Sequence, residues 1–195
     1  MQPRTRLDQN AVVQAAADLV DEEGVEALTL SRLADRLGIR PPSLYNHIDS
    51  LGDLYRRLAI VNALSLGDRM GHAAIGKSGV QALTAIAEAY RGYIKQNPGV
   101  YLASLRASRN LEQPDPDLTT AEDQAVRVVL MVTNSFGLDG ENAIHAVRGL
   151  RSLVHGFTTL EIAGGFGLKV DCDESFRRLV EIYTAGLQAF PAPPD

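Results

Sequence analysis

The sequence predicts an all-α protein: a three-helix N-terminal domain over residues 1–54, a linking helix over about 51–70, and a larger helical domain over 71–195. Three observations support this prediction. Apolar residues recur at helical spacing through most of the 195 residues. Glycine or proline residues separate the helical stretches. The one run that resembles a strand, residues 128–132, has no partner strand to pair with.

Composition excludes several classes of protein. No apolar run reaches the roughly 18 residues that cross a bilayer, and the first 30 residues contain no secretion signal, which predicts a cytoplasmic protein without a membrane partner. A single cysteine, Cys172, excludes an internal disulfide and a multi-cysteine zinc site. The net charge is −5, but residues 29–57 hold five arginines against three acidic residues, a local balance of +2. A mild positive charge at this end is compatible with phosphate contact.

Residues 29–54 are typical of two short helices joined by a tight turn. In the first, apolar residues recur at helical spacing from Leu30 to Leu37, and Gly38 ends the helix. Pro41 and Pro42 suit the first turn of a second helix, predicted to reach about Ile48. The outward face carries hydrogen-bonding groups that suit the major groove of DNA. The candidate DNA-contacting residues are Thr29, Ser31, Arg40, Pro41, Ser43, Tyr45, Asn46 and His47.

This segment resembles the helix-turn-helix of the TetR family of transcriptional regulators. The matching positions are Thr29, Leu33, Ala34, Leu37, Gly38, Ile39, Ser43, Leu44, Tyr45, Asn46, His47 and Ile48. Two positions depart from the family pattern. Leu51 stands where a phosphate-binding lysine usually opens the next helix, and Ser31 stands where some members carry a base-reading arginine. Both departures lower the number of expected DNA contacts.

A second motif, Gly71 to Ser78, matches the phosphate-loop pattern G-x-x-x-x-G-K-S, with Lys77 as the phosphate ligand. Such a loop follows a buried strand in a parallel sheet. Here a polar helix end precedes it, and no alternation of strands and helices is predicted. The sequence therefore favours a glycine-rich loop between helices, with nucleotide binding as a remote alternative.

The last two predicted helices, about 140–163 and 173–189, carry more apolar surface than one core contact needs. This surplus predicts a two-fold, four-helix interface in a homodimer. The candidate interface residues are Val154, Leu160, Phe176, Leu179 and Tyr183. The alternative is that both faces close the core of the monomer. The first helix contains His155 and Gly156, and it resembles the His-Gly-containing helix of one C-terminal class of TetR-like regulators.

A helix over about 120–136 is apolar nearly all round, which predicts that it is buried at the centre of the second domain. The surrounding helices offer aromatic and apolar side chains. The candidate pocket residues are Tyr90, Tyr93, Tyr101, Leu105, Met131, Phe136, His155 and Phe157. Apolar walls with a few hydroxyls and one histidine suit a mostly hydrophobic, weakly polar small molecule.

Together these features predict a homodimeric repressor that binds a palindromic operator in double-stranded DNA and is released by a small hydrophobic effector. Dimerisation would place the two recognition helices about 34 to 36 Å apart. The four histidines are scattered, and no catalytic motif is present, so we expect neither enzymatic activity nor a metal or cofactor. Two alternatives stay open: a helix-turn-helix regulator that activates or acts without a ligand, and an enzyme that uses the Gly71 to Ser78 loop.

Overall fold

The computed structural model describes residues 7–107 and 115–189, and every regular element in those ranges is a helix. This confirms the predicted all-α class. The α-helices are α1 (Gln9–Glu23), α2 (Leu30–Leu37), α3 (Leu51–Ala74), α4 (Gly79–Gln96), α5 (Pro98–Ala107), α6 (Pro116–Thr133), α7 (Gly140–Ile162) and α8 (Cys172–Gln188). Short 3-10 helices cover Val25–Ala27, Pro41–Asn46 and Asn134–Phe136. Among the described residues, none of these helices has the length and apolar character that a membrane span requires.

Local sequence signals begin and end the first helices. The Asp8 carboxylate accepts a hydrogen bond from the Ala11 N–H at 2.8 Å and caps α1. The Thr29 hydroxyl accepts one from the Arg32 N–H at 3.2 Å and caps α2. Gly38 ends α2 in the left-handed conformation, with φ +66°, as the sequence predicts.

The chain divides into two compact units, one from residues 1–63 with 97–121 and one from 64–96 with 122–195. The first unit therefore contains α1, α2, α5 and the beginnings of α3 and α6. The sequence-based division places residues 97–121 in the second domain. The difference arises because α5 packs against α1, a contact that no local sequence signal announces.

Two features attach α5 to α1. A side chain at Gly99 would place its Cβ 1.9 Å from the Val20 carbonyl oxygen, so only glycine allows this approach. The Asp21 carboxylate accepts hydrogen bonds from the Gly99 N–H at 2.7 Å and the Val100 N–H at 3.0 Å. It satisfies two of the N–H groups that α5 leaves unpaired at its beginning. The proline and glycine that separate two helical stretches in the sequence, Pro98 and Gly99, thus also lie where α5 contacts α1.

Ion pairs attach two further parts of the first unit. Arg106, near the end of α5, pairs with Glu26 in the first 3-10 helix. Arg56 of α3 donates hydrogen bonds to Asp115 at 3.0 Å and to Asp117 at 2.7 Å, which fixes the beginning of α6 against α3. The pKa of the Asp115 carboxyl is lowered, chiefly by the hydrogen bond from Arg56.

Helix α3 is longer than the predicted linking helix, since it continues past residue 70 to Ala74. Gly67 does not end it. A Cβ at Gly67 would lie 3.2 Å from the Cα of Ala125, so α6 passes very close to α3 at this point. The glycine allows close packing of two helices rather than a break.

The prediction that the helix near residue 126 is buried on every side is wrong. Val126 is 38% exposed and Met131 is 67% exposed. One stripe of α6 is buried, at Leu118, Ala121, Val129 and Thr133. Val126 and Met131 are apolar but lie outside this stripe, so apolar character alone does not indicate which residues of α6 are covered.

The core of the second unit encloses a charged side chain. The Arg91 guanidinium donates to both carboxylate oxygens of Glu161, at 2.8 and 2.6 Å, and lies 4.9 Å from the ring centroid of Phe176. Both charged side chains are nearly buried, with 11% and 13% exposure. The hydrogen bond from Arg91 lowers the pKa of Glu161, so the pair stays ionised and joins α4 to α7.

We expect Gly99→Ala to lower the free energy of unfolding by about 2 to 4 kcal/mol, because the added methyl group meets backbone atoms of α1 that cannot rotate away. The matched control is Gly92→Ala in the interior of α4, where an added Cβ meets nothing within 4 Å. That substitution should raise stability by about 0.5 to 1 kcal/mol. Urea denaturation of both variants measures the difference, and equal effects would contradict the described contact.

Candidate nucleic-acid interface

The second segment of the helix-turn-helix is a 3-10 helix over Pro41–Asn46, not an α-helix reaching Ile48. Its bonds run from the Ser43 N–H to the Arg40 carbonyl at 2.9 Å and from the His47 N–H to the Leu44 carbonyl at 2.8 Å. The two prolines remove donors, and a segment this short pairs more of its N–H groups with the 3-10 pattern than with the α pattern. Below it, Leu44 and Ile48 are fully buried and hold the segment on the core.

The eight predicted DNA-contacting residues all keep accessible surface. Ser43 and His47 are half-buried, and the other six are exposed. Tyr45, which the apolar pattern places beside the core, is 57% exposed and presents its ring to solvent. The segment thus offers amide, imidazole, phenol and guanidinium groups from Arg40 to His47.

Two contacts hold the end of this segment. The Gln9 side-chain amide donates a hydrogen bond to the His47 carbonyl at 2.9 Å, across 38 residues of sequence. The Asp53 carboxylate accepts a bond from the Asp49 N–H at 3.1 Å and another from Arg57 at 2.9 Å. Helices α1 and α3 therefore both fix the orientation of the segment. The Ser50-x-x-Asp53 spacing is a readable capping signal, whereas nothing in the sequence marks Gln9.

The positive charge near the segment is weaker than the sequence count suggests. Arg36 donates to both carboxylate oxygens of Glu22, at 2.7 and 2.8 Å, and Arg32 pairs with Glu23. These two acids lie outside residues 29–57 and were not in the count. The hydrogen bond from Arg36 also lowers the pKa of Glu22.

Arg56 and Arg57 of α3 are likewise paired, the first with Asp115 and the second with Asp53. Arg40 is the one arginine of the five with no acidic partner within the described ranges 7–107 and 115–189. It lies at the beginning of the exposed segment, where a phosphate could reach it.

The phosphate-loop match has a helical conformation. Gly71 to Ala74 form the last turn of α3, so their N–H groups point along the helix rather than around a bound phosphate. The Lys77 side-chain ammonium donates a hydrogen bond to the Ala73 carbonyl at 2.8 Å. The backbone N–H of Lys77 donates one to the Ala74 carbonyl at 3.0 Å. This motif is therefore the end of a helix, and Gly76 supplies its left-handed residue.

The residues of the candidate ligand pocket lie in both units. Tyr101 and Leu105 belong to the first, on α5, and the other six belong to the second. The three tyrosines are buried, Leu105, Phe136, His155 and Phe157 are half-buried, and Met131 is exposed. Phe157 packs on Phe166, at 4.8 Å between ring centroids, and burial lowers the pKa of His155. No contact described here joins all eight into one cavity.

Two of the five predicted interface residues are not on the surface. Val154 is 0% exposed and Phe176 is 2% exposed, so both belong to the core of the second unit. They contribute to the monomer, as the alternative interpretation of these helices proposes. Leu160 is exposed, and Leu179 and Tyr183 are half-buried.

Comparison with known proteins identifies the family. Residues 12–58 match the family described as bacterial regulatory proteins, tetR family, and residues 83–183 match the tetracyclin repressor-like C-terminal domain. The uncharacterized HTH-type transcriptional regulator YobS of Bacillus subtilis is 37% identical over 189 residues, which cover 96% of each chain. The uncharacterized HTH-type transcriptional regulator Rv0681 of Mycobacterium tuberculosis is 36% identical over 94% of this chain and 83% of its own.

Solved structures share the fold. A variant of TetR from Acinetobacter baumannii AYE in complex with minocycline superposes with a TM-score of 0.71, at 21% identity, over 94% of this chain and 98% of that one. BioQ, solved with its double-stranded DNA operator, superposes with a TM-score of 0.69, at 20% identity, over 95% of this chain and 100% of that one. Both family matches and the two relatives agree with the helix-turn-helix described above. The chain belongs to the TetR family of DNA-binding transcriptional regulators.

Proposed function

We propose that this regulator is a homodimeric repressor that leaves a palindromic operator when a small, mostly hydrophobic molecule binds. One observation carries the proposal. Helix α5 falls within the matched tetracyclin repressor-like C-terminal domain, yet it is docked onto α1 inside the DNA-binding unit by Asp21 and Gly99. A movement of α5 would therefore also move α1. Gln9 of α1 donates a hydrogen bond to the His47 carbonyl, at the end of residues 41–47, which we call the recognition segment.

In this proposal the eight exposed or half-buried residues divide into three groups. Asn46 reads a base edge, since its amide can donate and accept in the major groove. Tyr45, His47 and Arg40 contact the phosphate backbone, which positions the segment without reading sequence. Thr29, Ser31, Pro41 and Ser43 form the surface around them.

The dimer interface is proposed on the exposed faces of α7 and α8. Large apolar side chains that are open to solvent there include Ile144 at 45%, Leu160 at 52% and Ile182 at 71%. Beside Ile182, the exposed Ala185 and Gly186 would let a second helix approach closely. The proposed interface therefore retains three residues of the sequence prediction, Leu160, Leu179 and Tyr183. It also includes Ile144 and Ile182. Two copies related by a two-fold axis would present two recognition segments to a palindrome.

The effector is proposed to act through α5. Tyr101 and Leu105 lie on this helix, and a molecule that contacts them can favour one position of α5 over another. Its effect on operator binding equals its difference in affinity for the free and DNA-bound forms. A protein of the same fold, the Acinetobacter TetR variant, is solved in complex with the small molecule minocycline.

The recognition segment can be tested with three alanine variants and a panel of operator half-site sequences. Asn46→Ala should relax preference at one base pair per half-site by about 1 to 3 kcal/mol. Gln9→Ala should weaken binding to all sequences alike, by about 1 kcal/mol, because it loses one hydrogen bond to the segment. Gln14→Ala is the matched control, since Gln14 lies on the same helix but bonds to Asp18. Unchanged preference in Asn46→Ala would show that this segment is misplaced.

The interface can be tested with Ile182→Glu. A charge on the proposed contact should give a monomer in sedimentation analysis and lower operator affinity at least about a hundredfold, because two linked half-site contacts become one. Ile75→Glu is the control, because Ile75 is equally exposed, at 71%, but follows α3. If both variants stay dimeric, the interface lies elsewhere.

Effector release can be tested by a thermal-shift screen of lipophilic and charged compounds, followed by operator titration with each hit. We expect lipophilic hits that weaken operator binding, and we expect Leu105→Trp to lose that response while it still binds operator. Hits confined to charged hydrophilic compounds would contradict the proposed pocket chemistry. Hits that strengthen operator binding would favour an activator, and hits without any effect on it would favour a ligand-independent regulator.

A further inference from the structure

One buried polar atom of the first unit has no partner. Asn62 lies on α3 and is 8% exposed, and its Oδ1 is the single fully buried side-chain nitrogen or oxygen atom without a hydrogen bond among the residues described. A buried amide oxygen without a donor destabilises the folded state, because it loses its bonds to water and gains none. Such an atom requires an explanation.

The other buried polar side chains show how unusual this is. Each of them donates to a carbonyl oxygen of its own helix: Ser104 to Tyr101 at 2.7 Å, Thr133 to Leu130 at 2.8 Å, Thr158 to Val154 at 2.6 Å and Thr184 to Glu181 at 3.0 Å. A hydroxyl group that donates to a carbonyl of its own helix needs no hydrogen-bond partner from another element. Asn62 does not, so its acceptor stays available.

The residues next to Asn62 along α3 in the first unit are apolar. One turn before Asn62, Leu58 is 0% exposed and Ala59 is 2% exposed, and Ala63 follows it. The ion pair between Arg56 and Asp115 fixes the beginning of α6 beside α3. Six residues later, about 9 Å further along each helix, the chain reaches Asn62 in α3 and Ala121 in α6. Ala121 is buried as well. Small and apolar residues thus flank Asn62 along α3.

We propose that Asn62 is the polar anchor of the effector site, where its Oδ1 accepts a hydrogen bond from a hydroxyl or N–H group on an otherwise apolar small molecule. This inference rests on the proposed function and specifies the chemistry of its ligand. The apolar neighbours bind the body of the molecule, and the single acceptor selects molecules with a donor. The same helix carries Arg57 and Asp53, which hold the recognition segment.

The test uses the full-length protein and two pairs of probes that differ in one donor: indole with benzofuran, and 2-naphthol with 2-methylnaphthalene. Wild-type protein should bind the donor-bearing member of each pair about threefold to tenfold more tightly by calorimetry. Asn62→Leu should abolish this preference. It should also raise the melting temperature of the free protein by about 2 to 4 °C, since it removes the unpaired oxygen. Asn62→Ala is a second variant that removes the acceptor without adding bulk. Thr158→Val, which replaces a satisfied buried hydroxyl, should keep the preference.

Three results would overturn the assignment: equal preference in wild type and both Asn62 variants, no binding of any probe, or a lower melting temperature in Asn62→Leu. The last would show that the amide already holds a stabilising partner such as an ordered water. Operator titration separates this proposal from the repressor function. Donor preference without any change in operator affinity supports the anchor and refutes effector release. Equal release of operator by indole from wild type and Asn62→Leu supports release and refutes the anchor.

Discussion

The contact between the Asp21 carboxylate and the first N–H groups of α5 determines how the first unit is built. It assigns α5 to the DNA-binding unit, and Gly99 makes the contact close enough to exclude any other residue. Burial raises the pKa of Asp21, although the bonds from Val100 and Gly99 act in the opposite direction. A raised pKa means that the folded protein takes up this proton at higher pH than the unfolded chain. The ionised carboxylate is therefore held at a cost to stability, which acidification relieves.

Much of the fold was predictable because its signals are local. Thr29 and Gly38 begin and end α2 as their types require, and the apolar spacing of Val12, Ala16 and Leu19 marks the face of α1 that is buried. These features depend on residues within one or two turns of each other. Gln9 and Asp21 act on groups 38 and 78 residues away, and neither has a neighbour in sequence that reveals its partner.

The incorrect predictions of burial share one physical cause. Burial inside a monomer and burial between two copies both favour apolar residues, so an apolar face shows that something covers it but not what. Val154 and Phe176 face the core of their own unit, whereas Ile182 on the same kind of helix is open. On α6, the apolar composition suggested full burial, and Met131 is instead among the more exposed large side chains. Only the packing of neighbouring helices distinguishes these cases.

The number of arginines near the helix-turn-helix overstates the positive charge that is available to DNA. Four of the five arginines near the helix-turn-helix hold acidic side chains of this chain, and Leu51 replaces the phosphate-binding lysine that the family usually has. Few cations are left to displace counterions from DNA, and the net charge of −5 opposes approach. We infer that a single recognition segment of this chain binds DNA weakly. In the dimer proposed above, operator affinity would then come from hydrogen bonds at Asn46 and its neighbours, made once by each copy. The dimer proposed above would then depend on its geometry more than on its charge, and a small displacement of α5 and α1 would be enough to control it.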